Sequence, residues 1–379
     1  MKNKLIIFAM HPIPYLTPIF REIYNLNTNS EVFFLDELGF KKHYNPYFKT
    51  FLIENKNIIR GFKNFFIPNY SKKVITGFFS RINPGVFGII KKKENKYVLI
   101  NGYQTFSSWL ILLSSIFFKK KIIFKGETIR KNRNFFKTLL INFFFFKIDY
   151  FLYSCSGNLN FYKSLKVRKK KLISVPCCVD YYFFLSYRKK NKIKKNLIKK
   201  NLGFQQKDKV ILFVSKFIDR KNPMELINCI KKINQKNLKL LFVGGGELED
   251  LMKVQCKINK ISAKFVPFLS QKKLGSVYLI ADIYVNTSTY DASPKTLNEA
   301  LCFDIPIIAP NKFVGQANDL IINGKNGYSY EAGNIEQLAK KINNAFKLSK
   351  KIINKINTNI ILNTHPKVGA TNILNIINL

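Results

Sequence analysis

The reading of the chain turns on Asp291-Ala292-Ser293-Pro294-Lys295-Thr296-Leu297-Asn298-Glu299. Apolar Ile283-Tyr284-Val285 before it reads as a buried strand, and Asn286 to Asp291 as the loop that follows. Ser293 and Pro294 stand in the order of an N-cap and a first helical residue, so the spacing predicts a helix opening at Pro294. The N–H groups of a first helical turn, with the helix dipole behind them, hold phosphate; Lys295 adds a full charge and Thr296 another amide. Glu299, one turn further, is placed to accept hydrogen bonds from ribose hydroxyls, and Asp291 to do so for a sugar ring. The same nine residues also suit a capped surface helix, so the flanking chain has to decide.

Outward from this stretch the chain alternates apolar runs with glycine, serine or proline turns and then helical segments. In the C-terminal half the runs are Val210 to Val214, ending at Ser215-Lys216, and Leu240 to Val243, ending at Gly244-Gly245-Gly246. In the N-terminal half they are Leu5 to Ala9, Val32 to Leu35, Tyr97 to Ile100, Lys121 to Phe124 and Tyr150 to Tyr153. That alternation is the pattern of parallel sheets with crossover helices, an α/β architecture repeated in two Rossmann-like domains. Ligands of such sheets sit beyond the strand C-termini. His11, Tyr15, Gly102, Tyr103, Lys125, Glu127 and Ser156 should therefore share one edge of the first domain. The expected domains are residues 1–182, residues 183–365, and a last segment, 366–379, whose helix around Thr371 to Leu379 crosses back to the first.

Asp291, seven intervening residues, Glu299 and then Ala300-Leu-Cys-Phe-Asp-Ile-Pro-Ile-Ile308 resemble the signature of retaining family 4 glycosyltransferases of the GT-B fold, with Asp291 for the usual first Glu and Asp304 for the usual Gly. Ser215-Lys216 followed by Lys221 resembles that family's Gly-Arg and Lys-Gly loop, with Lys216 for Arg and Asn222 for Gly. Val175-Pro-Cys-Cys-Val-Asp180 resembles the family segment that closes the first domain, and Gly315 the start of its Gly-Gly loop.

The resemblance implies two Rossmann-like domains facing across a cleft, and transfer of a hexosyl group from a nucleotide diphosphate sugar to an acceptor hydroxyl, with retention and without a metal. Donor contacts would come from Ser215, Lys216, Lys221, Gly244, Gly246, Phe268, Asp291, Ser293, Pro294, Lys295, Thr296 and Glu299. Lys216 and Lys221 would neutralise the leaving diphosphate, and the two glycines would let the backbone approach base or ribose. His11, Tyr15, Gly102, Tyr103, Lys125 and Glu127 would meet the acceptor, with His11 and Glu127 as candidate proton carriers. The departing phosphate can itself take the acceptor's proton. A glycan or lipid-linked acceptor of a bacterial envelope polysaccharide or lipopolysaccharide is expected. A basic nucleic-acid- or membrane-binding protein, or a noncatalytic partner subunit of the same fold, remains an alternative.

Composition bounds the partners. Sixty-four Lys and Arg against 22 Asp and Glu give a net charge of +42 over 379 residues. Such an excess usually points to nucleic acid or an anionic membrane. Here it is mostly Lys, spread along the chain beside many Asn, Ile and Phe, the bias of an AT-rich genome. No specific nucleic-acid partner is expected, and an anionic membrane surface is kept, with the Phe143 to Phe146 run and neighbouring lysines as its contact. Six Cys without a Cys-x-x-Cys pair, and Met1-Lys-Asn-Lys leading straight into a strand, predict a reducing, cytoplasmic setting, peripheral to the membrane's inner face. No metal or resident cofactor is expected. Phe106 to Phe118 is too short to span a bilayer and reads as a buried or interfacial helix. Arg188 to Lys200, eight basic residues in thirteen, reads as a solvated helix.

Overall fold

The structure, a computed structural model, describes residues 3–38, 43–45, 50–52, 56–72, 77–129, 135–233, 235 and 237–378. Apart from the segment Tyr44–Phe51, which groups with the second unit, the chain passes from one compact unit to a second between Cys178 and Val179 and returns to the first at Thr364. The passage falls a few residues ahead of the expected 182/183 because Asp180 Oδ1 accepts from Phe183 N (3.0 Å) and caps a helix that packs within the second unit.

The first unit holds a seven-stranded sheet of β1 (Lys4–Ala9), β2 (Ser30–Phe34), β5 (Asn64–Phe66), β6 (Asn95–Asn101), β7 (Lys121–Lys125), β8 (Tyr150–Tyr153) and β9 (Leu172–Ser174), in the order β5-β2-β1-β6-β7-β8-β9. Two short strands, β3 (His43–Asn45) and β4 (Thr50–Leu52), make a separate two-stranded sheet, most of which groups with the second unit. Every pairing in the large sheet is parallel. Parallel strands are covered on both faces, and β1 and β2 accordingly bury nearly every residue. The helices are α1 (Thr17–Leu26), α2 (Val86–Lys91), α3 (Phe106–Phe117), α4 (Phe135–Phe146) and α5 (Ser156–Ser164). Phe124, Phe144, Phe145, Phe151 and Tyr162 form an aromatic centre to the core under α3 and α4.

The second unit carries α6 (Tyr181–Asn191), α7 (Lys195–Asn201), α8 (Pro223–Ile230), α9 (Glu249–Ile258), α10 (Gln271–Ile280), α11 (Lys295–Leu301), α12 (Ala317–Leu320), α13 (Ile335–Ala345) and α14 (Lys350–Asn363). They surround a six-stranded, wholly parallel sheet. Its strands are β10 (Lys209–Lys216), β11 (Leu238–Gly245), β12 (Ala263–Val266), β13 (Ile283–Val285), β14 (Ile307–Pro310) and β15 (Gly327–Tyr330), in the order β12-β11-β10-β13-β14-β15. Helix α15 (Pro366–Ile377) belongs to the first unit and packs on α1; Asn3 Nδ2 donates to Ile377 O (2.8 Å) and Asn372 Nδ2 to Ser174 O (2.9 Å). It begins earlier than the expected Thr371 because His365 Nδ1 accepts from Lys367 N (3.2 Å) and Pro366 opens the helix.

The basic run at 188–200 is not simply solvated. Lys199 is buried, with Nζ donating to Gln206 O (3.1 Å) and Asp208 O, and Arg188 pairs with Asp304 (2.6 Å) while donating to Cys302 O (2.8 Å). Asp304 has a left-handed backbone, φ +52, which explains why a glycine suits the position. Here the Asp side chain, held by Arg188 and by Asn354 Nδ2 (2.6 Å), offsets that strain.

Candidate functional site

In the second unit, β10 and β13 are neighbours, so the loops leaving their C-terminal ends run side by side. A single helical turn over Asp219–Lys221 follows β10, and Asn222 then takes φ +48 before Pro223 opens α8. Asn tolerates that left-handed conformation better than other non-glycine residues, which accounts for Asn222 where a glycine is expected. The two loops are fastened together. Thr287 Oγ1 donates to Lys221 O (3.0 Å) and Asn222 O (2.7 Å), Thr289 N to Arg220 O (3.0 Å), and Arg220 Nη1 to Tyr290 O (3.0 Å). Lys221 Nζ closes the seam as an ion pair with Asp291 Oδ2.

This seam brings together three residues picked from the sequence, Lys216, Lys221 and Asp291. Lys216 is half-buried at the end of β10, and its ammonium pKa is pushed down by burial first and then by the cations Arg220 and Lys221. Burial likewise pushes Lys221 down, against the pull of Asp291. A pair of partly desolvated cations of this kind gains most from an incoming anion. Asp291 is itself anchored: its N–H donates to Phe313 O (2.8 Å), its carbonyl accepts from Gly315 N (2.9 Å), and Oδ1 accepts from Ser293 N (3.4 Å).

Helix α11 starts one residue later than the sequence predicts. Lys295 is its first residue and Pro294 holds the cap position with ψ 106°, while Ser293 supplies no cap. Pro294 stays extended because its carbonyl accepts from Leu297 N (3.1 Å) and from Gln316 Nε2 (2.5 Å). Ser293 Oγ instead accepts from Lys295 Nζ (3.2 Å), which bends the lysine back toward the helix start. Thr296 Oγ1 accepts from Tyr284 OH (2.6 Å), so its hydroxyl is engaged in the core and only its first-turn backbone amide is suited to a ligand.

Glu299 Oε2 accepts from Tyr278 OH (2.7 Å), and burial raises its pKa to about 7 against the opposing effect of that hydrogen bond. Gln316, which stands after Gly315 where the loop it resembles has a second Gly, was given no site role by the sequence reading. It is buried, donates to Pro294 O and to Asn298 Oδ1 (2.9 Å), and Asn298 Nδ2 donates in turn to Tyr181 OH (2.8 Å). Its amide thus sets the entry of α11, a role no local pattern signals.

Gly244 and Gly246 are required by the fold itself. A Cβ on Gly244 would lie 1.9 Å from Ser215 O, and one on Gly246 would lie 2.3 Å from Phe217 O, and their φ values are +145 and +157. The close approach is between the end of β11 and the β10 exit, so these glycines position Ser215 and Lys216. Phe268 lies in the segment after β12 and is partly exposed.

In the first unit the expected residues do gather at one sheet edge, following β1, β6 and β7, which are adjacent. Gly102, φ +84, donates its N–H to Lys125 O (2.8 Å), and buried Lys125 pairs through Nζ with Glu127 (3.1 Å). His11 Nδ1 lies 3.9 Å from Asp36 Oδ1, and Asp36 forms a buried ion pair with Arg81 (2.6 Å). Asp36 and Arg81 were missed because they are far apart in sequence and belong to no motif. The ring of Tyr103 packs on Phe124, Phe144 and Phe145 at 6.2, 6.1 and 6.0 Å, so the core takes up its aromatic face. Tyr15 O accepts weakly from Cys178 Sγ (3.8 Å), and Ser156 is the first residue of α5. Among the described residues no group of three or more His, Cys, Asp or Glu side chains is placed to hold a metal ion.

Residues 194–360 match the model of the family described as glycosyl transferases group 1. An uncharacterized glycosyltransferase of Methanocaldococcus jannaschii is 28% identical over 137 residues, 35% of this chain and 35% of that protein. The match thus spans about a third of the length of that curated relative. Among solved structures, HepE of Anabaena in complex with UDP and glucose superposes with a TM-score of 0.73 over 99% of both chains at 12% identity. The lipopolysaccharide outer core galactosyltransferase WaaB superposes with a TM-score of 0.68 over 99% of this chain and 100% of its own at 16% identity. The chain has the GT-B fold, and residues 194–360 of its second unit are similar to the glycosyl transferases group 1 family.

Proposed function

We propose that the chain transfers a hexosyl group from a nucleotide diphosphate sugar to an acceptor hydroxyl, with retention and without a metal or resident cofactor. The observation that carries this reading is the seam at the exits of β10 and β13, where Lys216, Lys221 and Asp291 converge. As the sugar–phosphate bond breaks, negative charge grows on the diphosphate, and fixed cations in a partly desolvated notch stabilise it without reorganising. The first-turn amides of α11 and Lys295 add to the same field. Lys221 is held ready by Asp291, whose other contacts fix it to the 313–315 backbone while the donor's sugar ring is bound beside it.

Glu299 serves the ribose in this reading. A carboxylate accepts two hydroxyl donors well only when ionised, so donor affinity should fall as pH drops through about 7. In the first unit, Lys125, Glu127 and His11 are the groups for the acceptor, with the departing phosphate as the proton's first destination. A structural neighbour named as an outer core galactosyltransferase favours an envelope glycan, lipopolysaccharide or a related polysaccharide, as the acceptor.

A panel of nucleotide sugars screened for thermal stabilisation tests the reading. One or a few donors should raise the unfolding temperature in proportion to ln(1 + [L]/Kd), and turnover with the same donor should follow. A panel with no stabilising member, or stabilisation without turnover on any glycan acceptor, overturns it.

A further inference from the structure

Helix α4 is apolar on both sides. Ile141, Phe144 and Phe145 face the core, whereas Phe136, Leu139, Leu140, Phe143 and Phe146 are 55–74% exposed. The run Phe143 to Phe146 picked from the sequence is therefore split, with its middle pair buried and its outer pair presented outward. The outward residues recur at helical spacing and make one stripe. The stripe does not end at α4. Phe143 stacks on Trp109 of α3 (centroids 6.2 Å, planes 9°), and exposed Phe117 of α3 meets exposed Phe87 of α2 (6.4 Å). Three adjacent helices thus turn a continuous apolar layer outward, where a water-facing surface ordinarily keeps such patches small.

Charge borders this layer on one side. Because the crossovers run between parallel strands, α2, α3 and α4 point the same way and their C-terminal ends lie at one edge. Each is followed there by cations, Lys91 to Lys93, Lys119 to Lys121, and Lys147, whose Nζ sits 5.0 Å from the Phe146 ring centroid; Glu94 and Asp149 lie among them, and Asp149 pairs with Lys121 (3.3 Å), so the lysines outnumber the acids seven to two. Beside Phe146 a groove opens, lined by Asn142, Leu165, Lys166, Arg168 and Lys171 as well as Phe146 itself. The segments Val86–Lys91, Phe106–Phe117 and Phe135–Phe146 contain no acidic residue.

We propose that the α2–α4 layer is a docking surface for an anionic phospholipid bilayer, with Leu139, Phe143, Phe146 and Phe117 entering the headgroup–acyl boundary and the Lys166, Arg168 and Lys171 groove receiving lipid phosphate. An apolar face edged by cations is the arrangement that rests on an acidic bilayer. A second copy of the chain would bring the same lysine border against itself and be repelled. Nucleic acid would require the outward helical face itself to be basic, and it is apolar. Among the described residues no helix is long and apolar enough to cross a membrane, so docking is lateral.

The inference does not rest on the transfer reaction, and its test contains no nucleotide sugar. The full chain is sedimented with phosphatidylcholine vesicles, with and without phosphatidylglycerol, at about 0.1 M and about 1 M salt. The wild type should partition onto the phosphatidylglycerol vesicles at low salt and about tenfold less at high salt. The combined Leu139→Ser, Phe143→Ser and Phe146→Ser protein should bind roughly 30-fold more weakly at an unchanged unfolding temperature. Should that variant misfold, the chain's single tryptophan gives the answer in the wild type. Trp109, stacked on Phe143, should be quenched by brominated lipid. Wild-type protein that ignores phosphatidylglycerol vesicles, or binds them with Trp109 unquenched, overturns the proposal. So does a folded triple variant that binds as well as wild type, or vesicle-free self-association that the triple variant abolishes.

Discussion

The two units solve the same architectural problem and secure their functional edges by different means. In the second, the loops at the ends of β10 and β13 are tied by side-chain bonds to backbone and by the Lys221–Asp291 pair. In the first, the loop after β6 combines aromatic packing of Tyr103 and Trp109 with two bonds to backbone carbonyls, Gly102 N to Lys125 O (2.8 Å) and Trp109 Nε1 to Tyr103 O (3.1 Å), and the buried Asp36–Arg81 ion pair lies beside His11. Directional polar bonds demand particular residues at particular spacings. Aromatic packing accepts many combinations of similar volume. An edge of the first kind therefore leaves a motif, and an edge of the second kind does not.

The sharpest way to break the contrast is Lys221→Ala. It removes a diphosphate cation and strands Asp291, and kcat/KM for the donor should fall by about 10³-fold in initial-rate assays. Arg81→Ala acts on the other unit: it leaves Asp36 buried and uncompensated and should cost about 3 kcal/mol in urea unfolding. Because the pair belongs to the first unit and the diphosphate seam to the second, nucleoside diphosphate affinity should survive wherever the protein remains folded.

Glu299→Gln should lower kcat/KM for the donor by roughly 100-fold and flatten its pH dependence near pH 7. Its effect on stability has a defined sign. The carboxyl's folded pKa is raised above its unfolded value of 4.5, so ionising it opposes folding, and that cost appears as pH rises from 4.5 through about 7. The variant should thus be more stable than wild type at pH 8, by up to about 3 kcal/mol in thermal melts, and show little gain near pH 4.5. The smallest effect is expected for Asp304→Gly, which relieves left-handed strain but loses the contacts to Arg188 and Asn354, a net change within about 1 kcal/mol by thermal melts.

Much of the fold was legible because apolar runs ending in Gly, Ser or Pro turns carry the period of a parallel sheet locally. Lys216, Lys221 and Asp291 were legible as a group because their spacing carries a resemblance. What escaped depended on distant partners. Lys199 reads as solvated until the carbonyls of Gln206 and Asp208 are seen around it. The packing need for Gly244 and Gly246 is hidden until the β10 exit is placed against them. Gln316 gains its meaning from Pro294 and Asn298, and Ser293 loses its capping role because Pro294 is held extended by that same amide.

The central claim is that the notch formed by Lys216, Lys221 and the start of α11 holds a diphosphate. Calorimetric titration of UDP into the wild type and into the Lys216→Ala/Lys221→Ala protein, with a chelator present, addresses it directly. Saturable one-to-one binding by the wild type and its loss in the folded double variant is the predicted result. Equal binding by both proteins, or none by the wild type to any nucleoside diphosphate, would contradict it.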